Sequence, residues 1–183
     1  MTPNDIQLRK YRKRFQLLDV NGNGVLELSD YQAIARRFRQ NFDLEPGSDN
    51  ANAIDDTYTR LFAAMHRHGD RNGDGHVDEN EFIQTSAASL LGRPDGFDRA
   101  IKPVLTVICQ VCDKDGNALL DRDEFRRFLT AEGAPDEACA QSLAHLYPAN
   151  ATTITFDQFT EATRQFYCSP DPDAPGNWLF GDF

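Results

Sequence analysis

The fold is decided by the stretch Asp70–Glu81, which reads DRNGDGHVDENE. It places oxygen-bearing side chains at positions 1, 3, 5, 9 and 12 of a twelve-residue loop, and position 7 adds a backbone carbonyl. Calcium is a hard cation that takes six to eight oxygen ligands, so this spacing predicts a calcium-chelating loop. Gly75 at position 6 permits the positive φ of the sharp bend. The candidate ligands are Asp70, Asn72, Asp74, His76 through its carbonyl, Asp78 and Glu81.

A second copy of the pattern lies upstream at Asp19–Asp30, which reads DVNGNGVLELSD. Its position 12 is Asp30, one methylene shorter than a glutamate, so coordination of a large ion by both carboxylate oxygens is harder. We therefore expect weaker calcium binding here, or better tolerance of octahedral magnesium. The candidate ligands are Asp19, Asn21, Asn23, Val25 through its carbonyl, Glu27 and Asp30.

A third copy lies downstream at Asp113–Glu124, which reads DKDGNALLDRDE. Ala118 stands where glycine is expected, and a non-glycine residue in the left-handed region costs ~1–2 kcal/mol. This change lowers the expected affinity but removes no oxygen ligand. The candidate ligands are Asp113, Asp115, Asn117, Leu119 through its carbonyl, Asp121 and Glu124.

A fourth unit lacks the ligand pattern. Its loop is placed at Tyr147–Gln158 by two apolar residues, Ile154 at position 8 and Phe159 directly after position 12. Positions 1, 3, 5 and 12 carry no carboxylate, so this loop is not expected to hold calcium. Its retention has a structural reason, because such loops pair through the backbone of their position-8 residues. The predicted pairs are Leu26 with Val77 and Leu120 with Ile154.

The four repeats predict an all-α protein in which helix–loop–helix units form two packed pairs with short β contacts between paired loops. We place the N-terminal pair in residues 1–92 and the C-terminal pair in residues 97–183, with LGRPDG between them and an apolar tail at 176–183. Apolar spacing predicts helices over 5–18, 53–67 and 98–112, with Pro103 in the first turn of the last. Residues 40–52 are predicted to form a long connection, and Gly69 to loosen the last turn of its helix.

Composition and charge indicate which class of ligand the protein binds and in which cellular compartment it lies. The formal net charge is −10 and the pI is about 4.7, which favours a cation as ligand and argues against nucleic acid. The N-terminus shows no apolar signal-peptide core, and no run of eighteen apolar residues predicts a membrane span. Four scattered cysteines fit a reducing compartment. We expect a cytoplasmic monomer, and no protein partner is identified.

Three further features have competing interpretations. The basic run at residues 9–14 is interpreted as a solvated helix face, with a membrane or partner surface as the alternative. Cys109 and Cys112 are interpreted as buried core thiols rather than a redox or zinc pair, since no second CxxC follows. The tail, which carries Trp178 and Phe180, is expected to dock into the protein's own hydrophobic cleft, with a partner-binding or membrane-binding tail as the alternative.

Four helix–loop–helix units, three of them with ligands, resemble EF-hands, and the whole chain resembles the sarcoplasmic calcium-binding protein family, particularly its bacterial calerythrin-like members. The resemblance implies an intracellular calcium buffer or calcium-responsive modulator that binds up to three Ca²⁺ and is not an enzyme. Two alternatives stay open. A calcium sensor would expose a surface to a protein partner, although Met, common in sensor grooves, occurs only twice. A luciferin-binding or photoprotein-like protein would need a large, polar-lined ligand cavity.

Overall fold

The computed structural model describes residues 2–183. Helices dominate, and two short antiparallel strand pairs lie between them, which confirms the predicted fold class. The first half of the chain forms α1 (Asp5–Leu18), β1 (Val25–Leu26), α2 (Leu28–Asn41), α3 (Asp49–Gly69), β2 (Val77–Asp78) and α4 (Glu79–Leu90). The second half forms α5 (Gly96–Ala100), α6 (Lys102–Cys112), β3 (Leu119–Asp121), α7 (Arg122–Ala131), α8 (Asp136–Leu146), β4 (Thr153–Thr155), α9 (Phe156–Cys168) and a 3₁₀ turn, Pro175–Trp178.

The strand pairs join the loops two by two. Strand β1 pairs with β2 so that Leu26 faces Val77, and β3 pairs with β4 so that Leu120 faces Ile154. Both predicted position-8 pairs are therefore confirmed. All four side chains are buried, so each contact combines backbone hydrogen bonds with apolar packing.

Each helix that leaves a loop begins with a capping box. In α4 the Asp78 carboxylate accepts a hydrogen bond from the backbone N–H of Glu81, and the Glu81 carboxylate accepts one from the N–H of Asp78. The side chains at positions 9 and 12 therefore fix the start of the helix as well as facing the loop. The same exchange joins Asp121 with Glu124 and Thr155 with Gln158. In α2 the Asp30 carboxylate accepts from Glu27 N–H at 2.9 Å, and Asp30 N–H donates to the backbone carbonyl of Glu27 at 3.1 Å.

Two helix boundaries differ from the prediction. The long connection over 40–52 is wrong, because α2 continues to Asn41 and α3 already begins at Asp49. The Ser48 hydroxyl caps α3 by accepting a hydrogen bond from Ala51 N–H at 3.2 Å. The helix predicted over 98–112 is divided into α5 and α6, with Pro103 in the first turn of α6 as expected.

Gly69 has a packing role that the sequence did not reveal. Helix α3 continues through Gly69, so the predicted loosening of its last turn is wrong. The residue is buried, and a Cβ at this position would lie 3.2 Å from Cγ1 of Val77. The absence of a side chain therefore lets α3 approach strand β2 closely.

The two halves of the chain pack against each other along several helices. Helix α2 contacts α7, α3 contacts α6, and α1 contacts α9. The rings of Phe38 and Phe128, which belong to different halves, lie 6.2 Å apart, and both side chains are buried in one hydrophobic cluster. The division into two pairs at residues 92–97 stays a prediction. Among residues 2–183, none of the helices combines the length and the apolar character needed to cross a membrane.

The basic run in α1 does not form a single solvated face, because two of its members are buried. Lys10 is fully buried, and its ammonium donates to Gln165 O, Ser169 O and Asn177 Oδ1, each at 2.9 Å. Burial lowers the pKa of Lys10 to about 8, so the ammonium form still prevails at neutral pH. Arg14 is also buried, and its partner is Glu132. The interpretation as a solvated face is therefore wrong for these residues, which tie α1 to the second half.

The C-terminal tail docks against the protein's own core, which confirms that prediction. Leu179 and Phe180 are buried, and the Ser142 hydroxyl donates to Leu179 O at 2.9 Å. The Trp178 indole stacks on His145 with 3.9 Å between ring centroids. The aromatic groups that a free tail would expose are thereby removed from water.

The cysteines allow a first test of the packing. Cys109, Cys112 and Cys139 are free and buried, and burial raises the pKa of Cys109 to about 12. The thiolate is the reactive form, so we expect all three to react with Ellman's reagent far more slowly than the half-buried Cys168 in the native protein at pH 8. After denaturation, all four thiols should react with the reagent. Rapid reaction of two or more thiols in the native protein would contradict this packing.

Candidate metal centres

The first three loops share one arrangement around the carboxylate at position 1. In each loop this carboxylate accepts a hydrogen bond from the backbone N–H at position 6, which folds the loop back on itself. The oxygen side chains at positions 1, 3 and 5 are thereby brought to the inner side of the bend. The bonds are Gly24 to Asp19 at 2.9 Å, Gly75 to Asp70 at 3.1 Å, and Ala118 to Asp113 at 3.0 Å.

The side chains at positions 3 and 5 are ordered by their own loop backbone. In the second loop, Asn72 Oδ1 accepts from Asp74 N–H, and Asp74 Oδ1 accepts from His76 N–H, both at 2.9 Å. The pKa of Asp74 lies below its usual value because of the His76 N–H and the Asn72 amide. Asp74 therefore remains an anionic oxygen donor at neutral pH.

The residue at position 12 reaches the same two backbone groups in all three loops. Glu124 Oε1 accepts from Lys114 N–H at 2.8 Å, and Oε2 accepts from Asp121 N–H at 2.9 Å. In the first loop the shorter Asp30 makes both equivalent bonds, from Val20 N–H at 3.1 Å and Glu27 N–H at 2.9 Å. Asp30 is buried, and these two bonds hold its carboxylate against the loop backbone.

The third loop fits a divalent cation on its donor chemistry. Within residues 2–183, Asp113, Asp115 and Glu124 are the one group of three acidic, histidine or cysteine side chains whose ligand atoms all lie within 4.8 Å of one another. Such convergence of carboxylates repels unless a cation neutralises it, and hard oxygen donors suit calcium. The first two loops have Asn21 and Asn72 at position 3, where an amide oxygen replaces a carboxylate.

The bend at position 6 differs in the third loop. Ala118 has a φ of 62°, compared with 85° for Gly24 and 88° for Gly75. The alanine therefore adopts the left-handed conformation despite its Cβ, as the sequence predicted, and no oxygen donor is lost.

Replacing Ala118 with glycine should relieve this strain. We expect the free energy of unfolding to rise by up to about 1 kcal/mol, because relief of the left-handed strain exceeds the extra entropy of the unfolded glycine chain. Urea denaturation followed by circular dichroism measures the change. The matched control is Ala88→Gly on the exposed side of α4, where the same chemical change should destabilise by about 0.5–1 kcal/mol. Equal effects of both substitutions would contradict the assigned strain.

The fourth loop is held by groups other than metal ligands. The Tyr147 hydroxyl at position 1 lies 3.1 Å from Leu120 O and 2.9 Å from Asp121 O. The Arg122 guanidinium lies over the Tyr147 ring at 4.9 Å, and its Nε donates to Ala151 O at 3.1 Å. A buried tyrosine and an arginine thus bridge the fourth loop to the third, which agrees with a structural role for this unit.

Two histidines lie beside candidate ligands, a proximity that sequence spacing did not show. His66 Nε2 lies 3.2 Å from Gly75 O and 3.5 Å from the Asp70 carboxylate. His76 Nδ1 lies 3.6 Å from Oε1 of Glu27, which belongs to the other loop of the pair. His76 therefore brings the second loop next to a position-9 ligand of the first.

Comparison with known proteins supports the motif and the order of the units. The EF-hand family model matches residues 12–35 and 69–84, which contain the first two loops. Calerythrin from Saccharopolyspora erythraea is 24% identical over 159 residues, covering 86% of this chain and 90% of calerythrin. The sarcoplasmic calcium-binding protein of Scylla paramamosain is 26% identical, covering 94% of this chain and 92% of that protein.

Solved structures share the arrangement of the helices. A calcium-binding protein from Streptomyces coelicolor superposes with a TM-score of 0.75 and 25% identity, covering 90% of this chain and 99% of that one. A sarcoplasmic calcium-binding protein from amphioxus has the same fold, with a TM-score of 0.68, 19% identity and 99% of each chain covered. Motif, unit order and fold together make this chain similar to EF-hand calcium-binding proteins of the calerythrin and sarcoplasmic calcium-binding protein type.

Proposed function

We propose that the chain is a cytoplasmic, monomeric calcium buffer or calcium-responsive modulator that binds up to three Ca²⁺, one in each of the first three loops, and that it is not an enzyme. The observation that carries this proposal is the threefold recurrence of the same carboxylate geometry at positions 1 and 12. The proposed ligands are the oxygen donors at positions 1, 3, 5, 7, 9 and 12 of the loops at 19–30, 70–81 and 113–124.

Charge supports coupling between calcium binding and folding. The three loops contribute three, four and four carboxylates, which repel one another without a cation. Three divalent ions change the formal net charge from −10 to −4. Because the ions bind the folded loops, calcium should raise the free energy of unfolding.

We propose that the first loop can bind magnesium in place of calcium. It has three candidate carboxylates, and Asp30 is held close to the helix start by both of its oxygens. A smaller, single-oxygen donor suits the octahedral shell of magnesium better than the larger calcium shell. Asp30→Glu is therefore expected to favour calcium over magnesium at this loop.

A calorimetric calcium titration, with and without 5–10 mM magnesium, tests the stoichiometry. We expect three ions per chain without magnesium, and loss of heat from one site when magnesium is present. Asp30→Glu should restore the third site in magnesium, and Asp30→Asn should weaken it in both conditions. Fewer than two calcium ions bound by the wild-type chain would contradict the proposal.

The docked tail favours a buffer, because a sensor must free a surface when calcium binds. The chain contains a single tryptophan, and its stacking on His145 reports on tail position. We expect calcium to leave the emission maximum of Trp178 unchanged or to shift it to shorter wavelength. A shift to longer wavelength on calcium addition would instead indicate a released tail and a sensor.

A further inference from the structure

The first two loops are joined by a side-chain contact as well as by their strands. The register of β1 and β2 places Leu26 opposite Val77. Continued by one residue, the same register places Glu27 of the first loop opposite His76 of the second. The two side chains meet there, with His76 Nδ1 3.6 Å from Glu27 Oε1. The position-7 residue of one loop therefore faces the position-9 candidate ligand of the other.

The Glu27 carboxylate differs from the position-9 carboxylates of the other two candidate loops, because it makes no hydrogen bond to the start of the helix that follows. In the second loop the Asp78 carboxylate accepts from Glu81 N–H at 2.8 Å, and the third loop repeats this bond. The Glu27 carboxylate instead lies between two loops. Its Oε2 accepts from the Asn23 amide at 3.3 Å, and its Oε1 faces His76. One oxygen is thus turned toward a candidate ligand of its own loop and the other toward the neighbouring loop.

The His76 ring brings a polar atom that needs a partner. Its Nδ1 is buried, and within residues 2–183 no hydrogen bond satisfies it. The 3.6 Å separation from Glu27 is slightly longer than a hydrogen bond, so a small movement of either loop makes or breaks the contact. Buried polar groups without partners are rare in folded proteins, which favours the state in which the contact is made.

Within the described chain, this contact has no counterpart in the reverse direction of the same pair. The reciprocal positions are Val25 at position 7 of the first loop and Asp78 at position 9 of the second, which face each other in the strand register. In the second pair, the position-7 residue Leu119 faces Thr155 of the fourth loop. An apolar side chain cannot orient a carboxylate through a hydrogen bond, so the polar link of the first pair runs from the second loop to the first.

We propose that His76 is a positioning residue through which calcium in the second loop raises the calcium affinity of the first. This coupling rests on the proposed calcium function of both loops. An ion in the second loop takes the backbone carbonyl of His76 as a ligand, which fixes the backbone of this residue. The imidazole is then held against Oε1 of Glu27, so that Oε2 stays turned toward Asn23. Because Glu27 is ordered before the first loop binds, binding there requires less ordering and is tighter.

The coupling is measured in the Glu124→Gln background, where only the first two loops are expected to bind calcium. Isothermal titration calorimetry at one fixed pH gives the affinity of the first loop with the second loop intact. Adding Glu81→Gln disables the second loop and gives the affinity of the first loop alone. The ratio of these two affinities is the coupling between the loops.

His76→Phe removes both ring nitrogens but keeps an aromatic side chain and the backbone carbonyl. We expect this substitution to lower the calcium affinity of the first loop about fivefold when the second loop is intact, at the low end of typical coupling between sites. In the presence of Glu81→Gln it should lower that affinity less than about twofold, because the second loop no longer holds residue 76 in place.

Two further variants identify the cause of the change. His76→Gln supplies an amide donor that can reach Glu27, so it should restore most of the coupling. The matched control is His68→Phe, which makes the same chemical change at an exposed histidine outside both loops and should leave the coupling unchanged. A merely structural role of His76 would lower the affinity of the first loop equally with and without Glu81→Gln, and this result would overturn the proposal.

Stoichiometry separates the coupling from the calcium function. Two ions bound in the Glu124→Gln background, with a coupling that falls in His76→Phe, support the role of His76. Two ions with an unchanged coupling overturn that role and leave the calcium function intact. Binding of one ion or none overturns the ligand sets of the first two loops, and the coupling with them.

Discussion

Replacing Glu124 with glutamine is expected to reduce the number of calcium ions bound per chain from three to two. Glu124 is the long position-12 carboxylate of the third loop, and it lies within 4.8 Å of Asp113 and Asp115. Glutamine keeps one oxygen but loses the negative charge and the second oxygen. We expect affinity at this loop to fall about a hundredfold or more, which removes the site from the measurable range.

Glu81→Gln should have the same effect on the second loop, where Glu81 accepts from Arg71 N–H and Asp78 N–H. Because β1 pairs with β2, the first loop should also bind more weakly in this variant. Isothermal titration calorimetry gives the stoichiometry of both variants.

Two controls sharpen the assignment. Glu79→Gln makes the same chemical change two residues before Glu81, at a half-buried side chain that pairs with Arg12 at 3.4 Å, and should leave three sites. Gln158→Glu adds a position-12 carboxylate to the fourth loop but should create no new site, because Tyr147 fills position 1. A stoichiometry of three in Glu124→Gln or Glu81→Gln would remove that residue from the ligand set.

Replacing Glu132 with alanine should cause a large loss of stability. Glu132 is buried and accepts from Arg14 Nη1 at 2.8 Å and from the Tyr58 hydroxyl at 2.6 Å. The substitution leaves the Arg14 cation buried without its partner. Breaking a buried ion pair in this way costs about 3–5 kcal/mol, a large part of the ~5–15 kcal/mol that stabilises a typical domain.

Urea denaturation in excess calcium measures this loss, and three variants separate its causes. Tyr58→Phe removes one hydrogen bond and should cost about 1–3 kcal/mol. Arg14→Met combined with Glu132→Leu removes both charges and should recover much of the stability. Asp56→Ala breaks the exposed pair with Arg60 and should cost less than about 1 kcal/mol. A cost below about 1 kcal/mol for Glu132→Ala would show that Arg14 finds another partner.

The sequence predicted the parts of this fold that repeat. Ligand spacing placed the loops, and apolar position-8 residues gave the pairs Leu26 with Val77 and Leu120 with Ile154. The loops depend on neighbours within about twelve residues, and the pairs follow from the repetition of the loops, so one sequence is enough to find both. The candidate ligand sets are likewise predictions from spacing, and their occupancy is what the titrations test.

The parts that were missed depend on contacts between distant residues. Lys10 and Arg14 look like members of a solvated basic run, but their partners lie 118 to 167 residues away. Gly69 looks like a helix breaker, but its lack of a side chain lets Val77 pack closely against the end of helix α3. Nor does spacing show that the shorter Asp30 makes both position-12 bonds of the first loop, or that eight helices and the tail surround a cavity.

The bonds of Lys10 have a consequence for synthesis of the chain. Its farthest partner, Asn177, is added 167 residues later, which takes roughly 8 to 33 s at typical elongation rates. Arg14 lacks its acceptor until Glu132 has been added, and Lys10 lacks its last acceptor until Asn177 has been added. The first EF-hand can fold locally and pack on α4 during that interval, because α1 contacts α4 as well as α9. The docking of α1 on the segment that carries Gln165, Ser169 and Asn177 should therefore be the last step of maturation.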